Sequence, residues 1–167
     1  MPKRIAVLEA PEGALADLVS TLRASAGDAT EVDVPRSIAE LVASHTRQPL
    51  DLVLLDYLHG DGARNGREAL IAVATVMPDV IVLDVRMPEM NGMEFLQVIR
   101  SYLRWSNLPV ILLTAYPDDL PLERAHELGV KMIFVKPNFR LDELLECVNR
   151  LAADPAARCE GPRAAGA

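Results

Sequence analysis

Residues Val80 to Glu94 read Val-Ile-Val-Leu-Asp-Val-Arg-Met-Pro-Glu-Met-Asn-Gly-Met-Glu. A short apolar run ends on a single carboxylate, Asp84, and Pro88 and the Asn91-Gly92 turn follow at once. An unbroken apolar run closed by turn residues is the pattern of a strand buried on both faces of a parallel sheet. In open α/β sheets, ligands and chemistry gather at the carboxyl ends of the strands. The run therefore puts Asp84 where a reacting group belongs.

Five further runs have the same character: Ile5–Leu8, Glu31–Val34, Leu52–Leu58, Val110–Ala115 and Met132–Val135. Helix-like segments separate the runs: Ala14–Ala24, Ser37–His45, Arg67–Val76, Gly92–Leu103, Leu122–Leu128 and, last, Leu141–Leu151. Such alternation predicts βαβ units and a parallel sheet with helices on both faces. The expected fold is a doubly wound α/β three-layer sandwich of six strands, one domain over residues 1–152. Local signals agree. Ser37 and Glu40 stand at capping-box spacing. Leu141, Leu144, Leu145, Val148 and Leu151 form a helical stripe. Gly129 suits a left-handed helix end. The remaining residues, 153–167, are rich in Ala, Pro, Gly and Arg without periodicity and are expected to be disordered.

The chain also repeats itself. Asp51-Leu-Val-Leu-Leu-Asp56 matches Asp79-Val-Ile-Val-Leu-Asp84, 28 positions on (84 − 56). Asn65-Gly66-Arg-Glu68 likewise matches Asn91-Gly92-Met-Glu94. Two strand–Asp–loop–Asn-Gly–helix units stand in tandem, by duplication or by convergence on a common α/β pattern.

Composition narrows the function. The 167 residues carry a formal charge of −7, and no cluster of Lys and Arg stands ready to neutralise phosphates, so direct nucleic-acid binding is not expected. No apolar stretch is long enough to span a bilayer, and the N-terminus lacks the features of a signal peptide. Cys147 and Cys159 do not make a disulfide framework, which points to a reducing cytoplasm. His45, His59 and His126 are too scattered for a metal set. Gly60, Gly62 and Gly66 lack the Lys-Ser or Lys-Thr that completes a phosphate-binding loop.

Phosphorylating a carboxylate needs an Asp oxygen as nucleophile and groups that neutralise the charge on the transferring phosphoryl. Val110-Ile-Leu-Leu-Thr114 ends in a hydroxyl, and Met132-Ile-Phe-Val-Lys136 ends in an ammonium. Together with Asp84, followed four residues on by Pro88 and eight on by Gly92, this order resembles the receiver domain of two-component response regulators, a flavodoxin- and CheY-like fold. The resemblance covers Val80 to Leu151 well and Lys3 to Arg23 loosely. It implies that Asp84 is the phosphoacceptor, with Thr114 and Lys136 as its catalytic partners and Pro137 in the place of the family's cis-proline. It implies Mg²⁺ held by Glu9, Asp84 and the backbone carbonyl of Arg86. Receivers end their first strand with two adjacent acids; here Ala10 stands for the second, so the metal should be weakened. Asp56 is the candidate replacement if its strand borders that of Asp84; the alternative is a solvated or helix-capping residue. Arg86 and Tyr116 would flank the pocket mouth. Many receivers carry an aromatic switch three residues before the Lys; here that residue is Ile133, and Phe134 points to the other face.

The resemblance implies a stand-alone cytoplasmic receiver. It would take its phosphoryl group from a histidine kinase, phosphotransfer protein or small donor, and would signal to an output protein by contact. No conventional enzyme activity is expected, only its own aspartyl phosphorylation and dephosphorylation. The alternative is a pseudo-receiver, the same fold working without phosphorylation, which Ala10 and Ile133 favour and the Asp84, Thr114 and Lys136 set opposes.

Overall fold

A parallel sheet organises the chain in the computed structural model, which describes residues 3–8, 30–34, 38–47, 52–55, 66–87, 89–136, 138–153 and 163–164. Its strands are β1 (Lys3–Leu8), β2 (Thr30–Asp33), β3 (Leu52–Leu55), β4 (Val80–Asp84), β5 (Val110–Thr114), β6 (Val130–Val135) and β7 (Arg163–Ala164). They lie in the order β2-β1-β3-β4-β5-β6-β7, and each neighbouring pair is parallel. The helices are α1 (Ile38–Arg47), α2 (Gly66–Val76), α3 (Gly92–Ser101), α4 (Leu122–Glu127) and α5 (Leu141–Ala153). The expected segments Ala14–Ala24, Ser37, and residues 56–58 of the third run lie outside the described residues.

The doubly wound α/β architecture is present. Alternate residues of β4 serve opposite faces. Ile81 and Leu83 pack with Leu41 of α1, Val73 of α2, Phe95 of α3 and Ala125 of α4. Val80 and Val82 pack with Leu144, Val148 and Leu151 of α5. Every residue of β4 and β5 is buried, which explains why those runs are continuous rather than alternating. Each fully buried Leu, Ile or Phe contributes about 1.5–3 kcal/mol relative to exposure, so these central strands are the firmest ground on which a site can stand.

Two points differ from expectation. The sheet has seven described strands, not six. The seventh is the two-residue pairing of Arg163 and Ala164 with Met132 and Ile133 at the edge of β6. A pairing of two residues is too short to leave a periodic trace in sequence. The helix that begins at Gly92 also stops at Ser101, and residues 103–105 form a separate 3-10 turn. Tyr102 is extended there (ψ 122°), which ends the helix and lets Trp105 tuck in edge-on, with ring centroids 5.1 Å apart.

The tandem repeat has a spatial counterpart. Leu52 pairs with Val80 and Leu55 with Leu83, so the strand register equals the sequence offset of 28 positions. Matching residues of the two strands lie side by side, and α2 and α3 follow on the same face of the sheet.

Candidate active site

The site is built where β4, β5 and β6 end side by side. Asp84 is the last residue of β4 and is opposite Leu113, one residue short of the end of β5. Thr114 ends β5 opposite Val135, and the Lys136 amide donates to the Thr114 carbonyl at 2.7 Å. Register alone therefore gathers the three predicted residues. Two of the side chains meet directly. Lys136 Nζ donates to Asp84 Oδ2 at 2.9 Å, while Asp84 and Thr114 are both buried.

The two strand ends turn in the same way. Asp84 Oδ1 accepts the amide of Arg86 at 3.0 Å, and Thr114 Oγ1 accepts the amide of Tyr116 at 3.0 Å. Each side chain thus caps the turn two residues beyond itself, the habit of Asp and Thr at strand exits. The matched turns bring Arg86 and Tyr116 together. The guanidinium lies 3.6 Å from the Tyr116 ring centroid, and its Nη2 is 2.8 Å from Asp119 Oδ2. The expected pocket mouth is thus a closed contact between two loops.

Behind Asp84, Asn91 caps α3. Its side chain accepts the amides of Met93 (3.0 Å) and Glu94 (2.9 Å), and Glu94 accepts the Asn91 amide at 2.9 Å. Gly92 sits so close to β4 that a Cβ there would lie 2.6 Å from the Asp84 carbonyl oxygen. The Asn-Gly pair therefore caps the helix and lets it approach β4 closely.

Of the expected metal ligands, Glu9 and Asp56 lie outside the described residues, as do Ala10, Pro88 and Pro137. Among the described residues no group of three His, Cys, Asp or Glu could hold a metal. The donor chemistry present suits a hard cation. A carboxylate offers about four acceptor positions, and the bonds from Arg86 and Lys136 take one on each oxygen of Asp84. Mg²⁺ is commonly held by one or two carboxylates with waters completing its shell. One strand relationship bears on the second acid: β3, not β1, borders β4. The strand before Glu9 is two strand spacings from Asp84, and the strand before Asp56 is one.

The sequence model of the response regulator receiver domain matches residues 57–149, more than half of the chain. The chain belongs to that family, and it is a receiver domain of the two-component response regulator type. Over 88 residues, 53% of this chain, it is 43% identical to regulatory protein AtoC of Escherichia coli K12 and 36% identical to sporulation initiation phosphotransferase F of Bacillus subtilis. Those stretches are 18% of the first relative's length and 68% of the second's. The chemotaxis protein CheY4 of Vibrio cholerae shares the fold at a TM-score of 0.56 and 25% identity, covering 90% of this chain and 98% of that one. Mg²⁺ is the cation typical of the family. No helix among the described residues is long and apolar enough to cross a membrane.

Three contributors escaped the sequence reading. Asp119 is 33 residues from Arg86, and no spacing rule links them. Gly92 read as a turn residue, and its steric role appears only with the strand beside it. Arg100 donates to the carbonyls of Leu128 and Trp105, each at 2.7 Å, and backbone acceptors leave no mark in sequence.

Proposed function

We propose that Asp84 is the phosphoacceptor of this receiver, with Lys136 and Thr114 acting on the transferred group. The observation that carries this reading is the buried pairing of the Lys136 ammonium with the Asp84 carboxylate at 2.9 Å. An Asp84 oxygen attacks phosphorus and forms a new O–P bond. The donor's P–N bond (a phosphohistidine) or P–O bond (a small acyl phosphate) breaks, and the leaving group takes the electron pair. Lys136 neutralises charge on the phosphoryl oxygens as a point charge. The Thr114 hydroxyl donates to one of them. The buried Lys136–Asp84 pair favours this reading over a phosphorylation-independent module.

Mg²⁺ supplies charge neutralisation at the phosphoryl oxygens when bound. Asp84 and the Arg86 carbonyl are its proposed ligands, and Asp56 is favoured over Glu9 as the second acid. Leu55 and Leu83 are in register on adjacent strands, and an aspartate follows each in the sequence. Glu9 instead follows a strand about 9–10 Å from β4, two spacings away. On this reading the domain works in the cytoplasm. It takes its phosphoryl group from a histidine kinase or phosphotransfer protein, and it signals by contact with an output protein rather than by direct nucleic-acid binding.

Incubation with acetyl phosphate and Mg²⁺, followed by intact mass measurement, tests the reaction. The expected result is a gain of one phosphoryl group that chelation of Mg²⁺ prevents. Asp56→Ala should weaken Mg²⁺ binding and Glu9→Ala should leave it unchanged; the reverse outcome returns the second acid to Glu9.

A further inference from the structure

Two arginines hold the segment that carries α4, one at each end, in very different surroundings. At the front, Arg86 of the β4 loop reaches Asp119 through a pair whose side chains are 60% and 67% exposed. At the back, Arg100 of α3 donates to the Leu128 carbonyl just beyond α4. Burial pushes the Arg100 pKa down to about 10, which leaves it charged near neutrality. Exposed ion pairs are weak and salt-screened, whereas hydrogen bonds from a partly buried cation are strong and costly to break. Between these ties lies little else. The six-residue α4 has no side-chain cap at Pro121, and Ala125 is its one buried residue. Leu120 is the other buried anchor of the stretch from Ala115 to Glu127.

We propose that Arg86 reports phosphorylation of Asp84 to α4 by changing partners. In the unmodified protein its guanidinium is parked on Asp119 and over the Tyr116 ring. A phosphoryl group on Asp84 carries about −1.5 to −2 charge and three acceptor oxygens, against the single charge of Asp119. The Arg86 amide is already bonded to the Asp84 carboxylate, so the side chain is rooted beside the new group and a change of rotamer would turn the guanidinium toward it. An arginine fork prefers such oxygens. Once Arg86 leaves, the turn at Pro117–Asp119 and the front of α4 loosen, and the end fixed by Arg100 acts as the hinge. This supplies a route outward that Ile133 cannot, since it is an aliphatic side chain packed against the α1–α4 face.

The inference rests on Asp84 being the phosphoacceptor, and its test separates the two. Hydrogen exchange is read in peptides spanning residues 115–124 and 126–130, with acetyl phosphate and Mg²⁺ as the phosphorylating agents and intact mass as the record of modification. Phosphorylation of the wild-type protein should speed exchange at 115–124 by about two- to fivefold, the scale of one exposed ion pair, and leave 126–130 slow. Asp119→Asn and Arg86→Gln should show the same faster exchange before phosphorylation, with no further gain after it. A wild-type protein that gains the phosphoryl mass without faster exchange at 115–124 overturns the relay alone. So does a further gain in Asp119→Asn equal to that of the wild type. A wild-type protein that gains no phosphoryl mass overturns the acceptor reading and the relay with it.

Discussion

Lys136 Nζ lies 2.9 Å from Asp84 Oδ2 although the residues are 52 positions apart, and their side chains are only 13% and 10% exposed. A buried pair of this kind adds little over apolar residues of the same volume, but removing one partner strands the other charge. A small net gain in stability is what the proposed chemical role of the pair requires, and the cost falls on losing one partner alone.

Lys136→Met should lower unfolding free energy by about 2–3 kcal/mol, somewhat below the usual cost of breaking a buried pair because the site opens at one side. The double variant Lys136→Met/Asp84→Asn should regain most of that loss, since the stranded carboxylate is gone. Urea melts of the two single variants and the double variant measure the coupling. Equal losses in Lys136→Met and in the double variant would deny it.

Gly92→Ala should cost about 1–3 kcal/mol, the range for overpacking, because the three nearest atoms the new Cβ would meet, the Asp84 carbonyl oxygen at 2.6 Å, Val85 Cα at 3.0 Å and the Asp84 carbonyl carbon at 3.4 Å, are all backbone. It should also slow phosphoryl uptake by displacing the acceptor. Gly129→Ala is the contrast. That residue has φ +69°, and a Cβ there would make only ordinary van der Waals contact with the Arg100 guanidinium, at 3.8 and 3.9 Å, so the cost is the roughly 1–2 kcal/mol of left-handed backbone, and uptake should not change. Matched denaturation and phosphorylation rates decide whether Gly92 acts through Asp84.

Asn91→Ala should cost about 1 kcal/mol by removing the acceptor for the Met93 and Glu94 amides. Asn91→Asp should stay near wild type, since Asp caps as well as Asn and adds charge at the helix N-terminus. Thermal melts of the two variants check the order; a larger loss in Asn91→Asp would mean that the added charge beside the site outweighs the cap.

Burial pushes the Cys147 thiol up from its ordinary range, and Arg150 offsets this only in part. Less thiolate is then present at any given pH than for a free thiol, and alkylation follows thiolate. Iodoacetamide should label native Cys147 more slowly than unfolded Cys147 at pH 8, and the native rate should keep rising at higher pH. Equal native and unfolded rates would contradict the burial.

Much of this was legible in the chain. Asp84, Thr114 and Lys136 each close an apolar run, and runs buried on both faces carry no polar alternation to blur their ends. Gly129 announced its left-handed turn. Strand order was not legible, because periodicity says which residues are buried and nothing about which strand lies beside which. That is why the placement of β3 between β1 and β4, and its consequence for Glu9 and Asp56, emerged only from the fold. The Arg86–Asp119 pair and the Arg100 anchor join distant loops through single contacts, and the β7 pairing is two residues of backbone. None of these has a local pattern to find.

The most direct measurement locates the phosphoryl group. Borohydride reduces an aspartyl phosphate to homoserine, and peptide mapping then marks the modified position. After treatment with acetyl phosphate and Mg²⁺, homoserine is expected at position 84, with none at position 56 and none in Asp84→Asn. Homoserine at position 56, or an unreduced aspartate at position 84 in a protein that has gained the phosphoryl mass, would contradict the account.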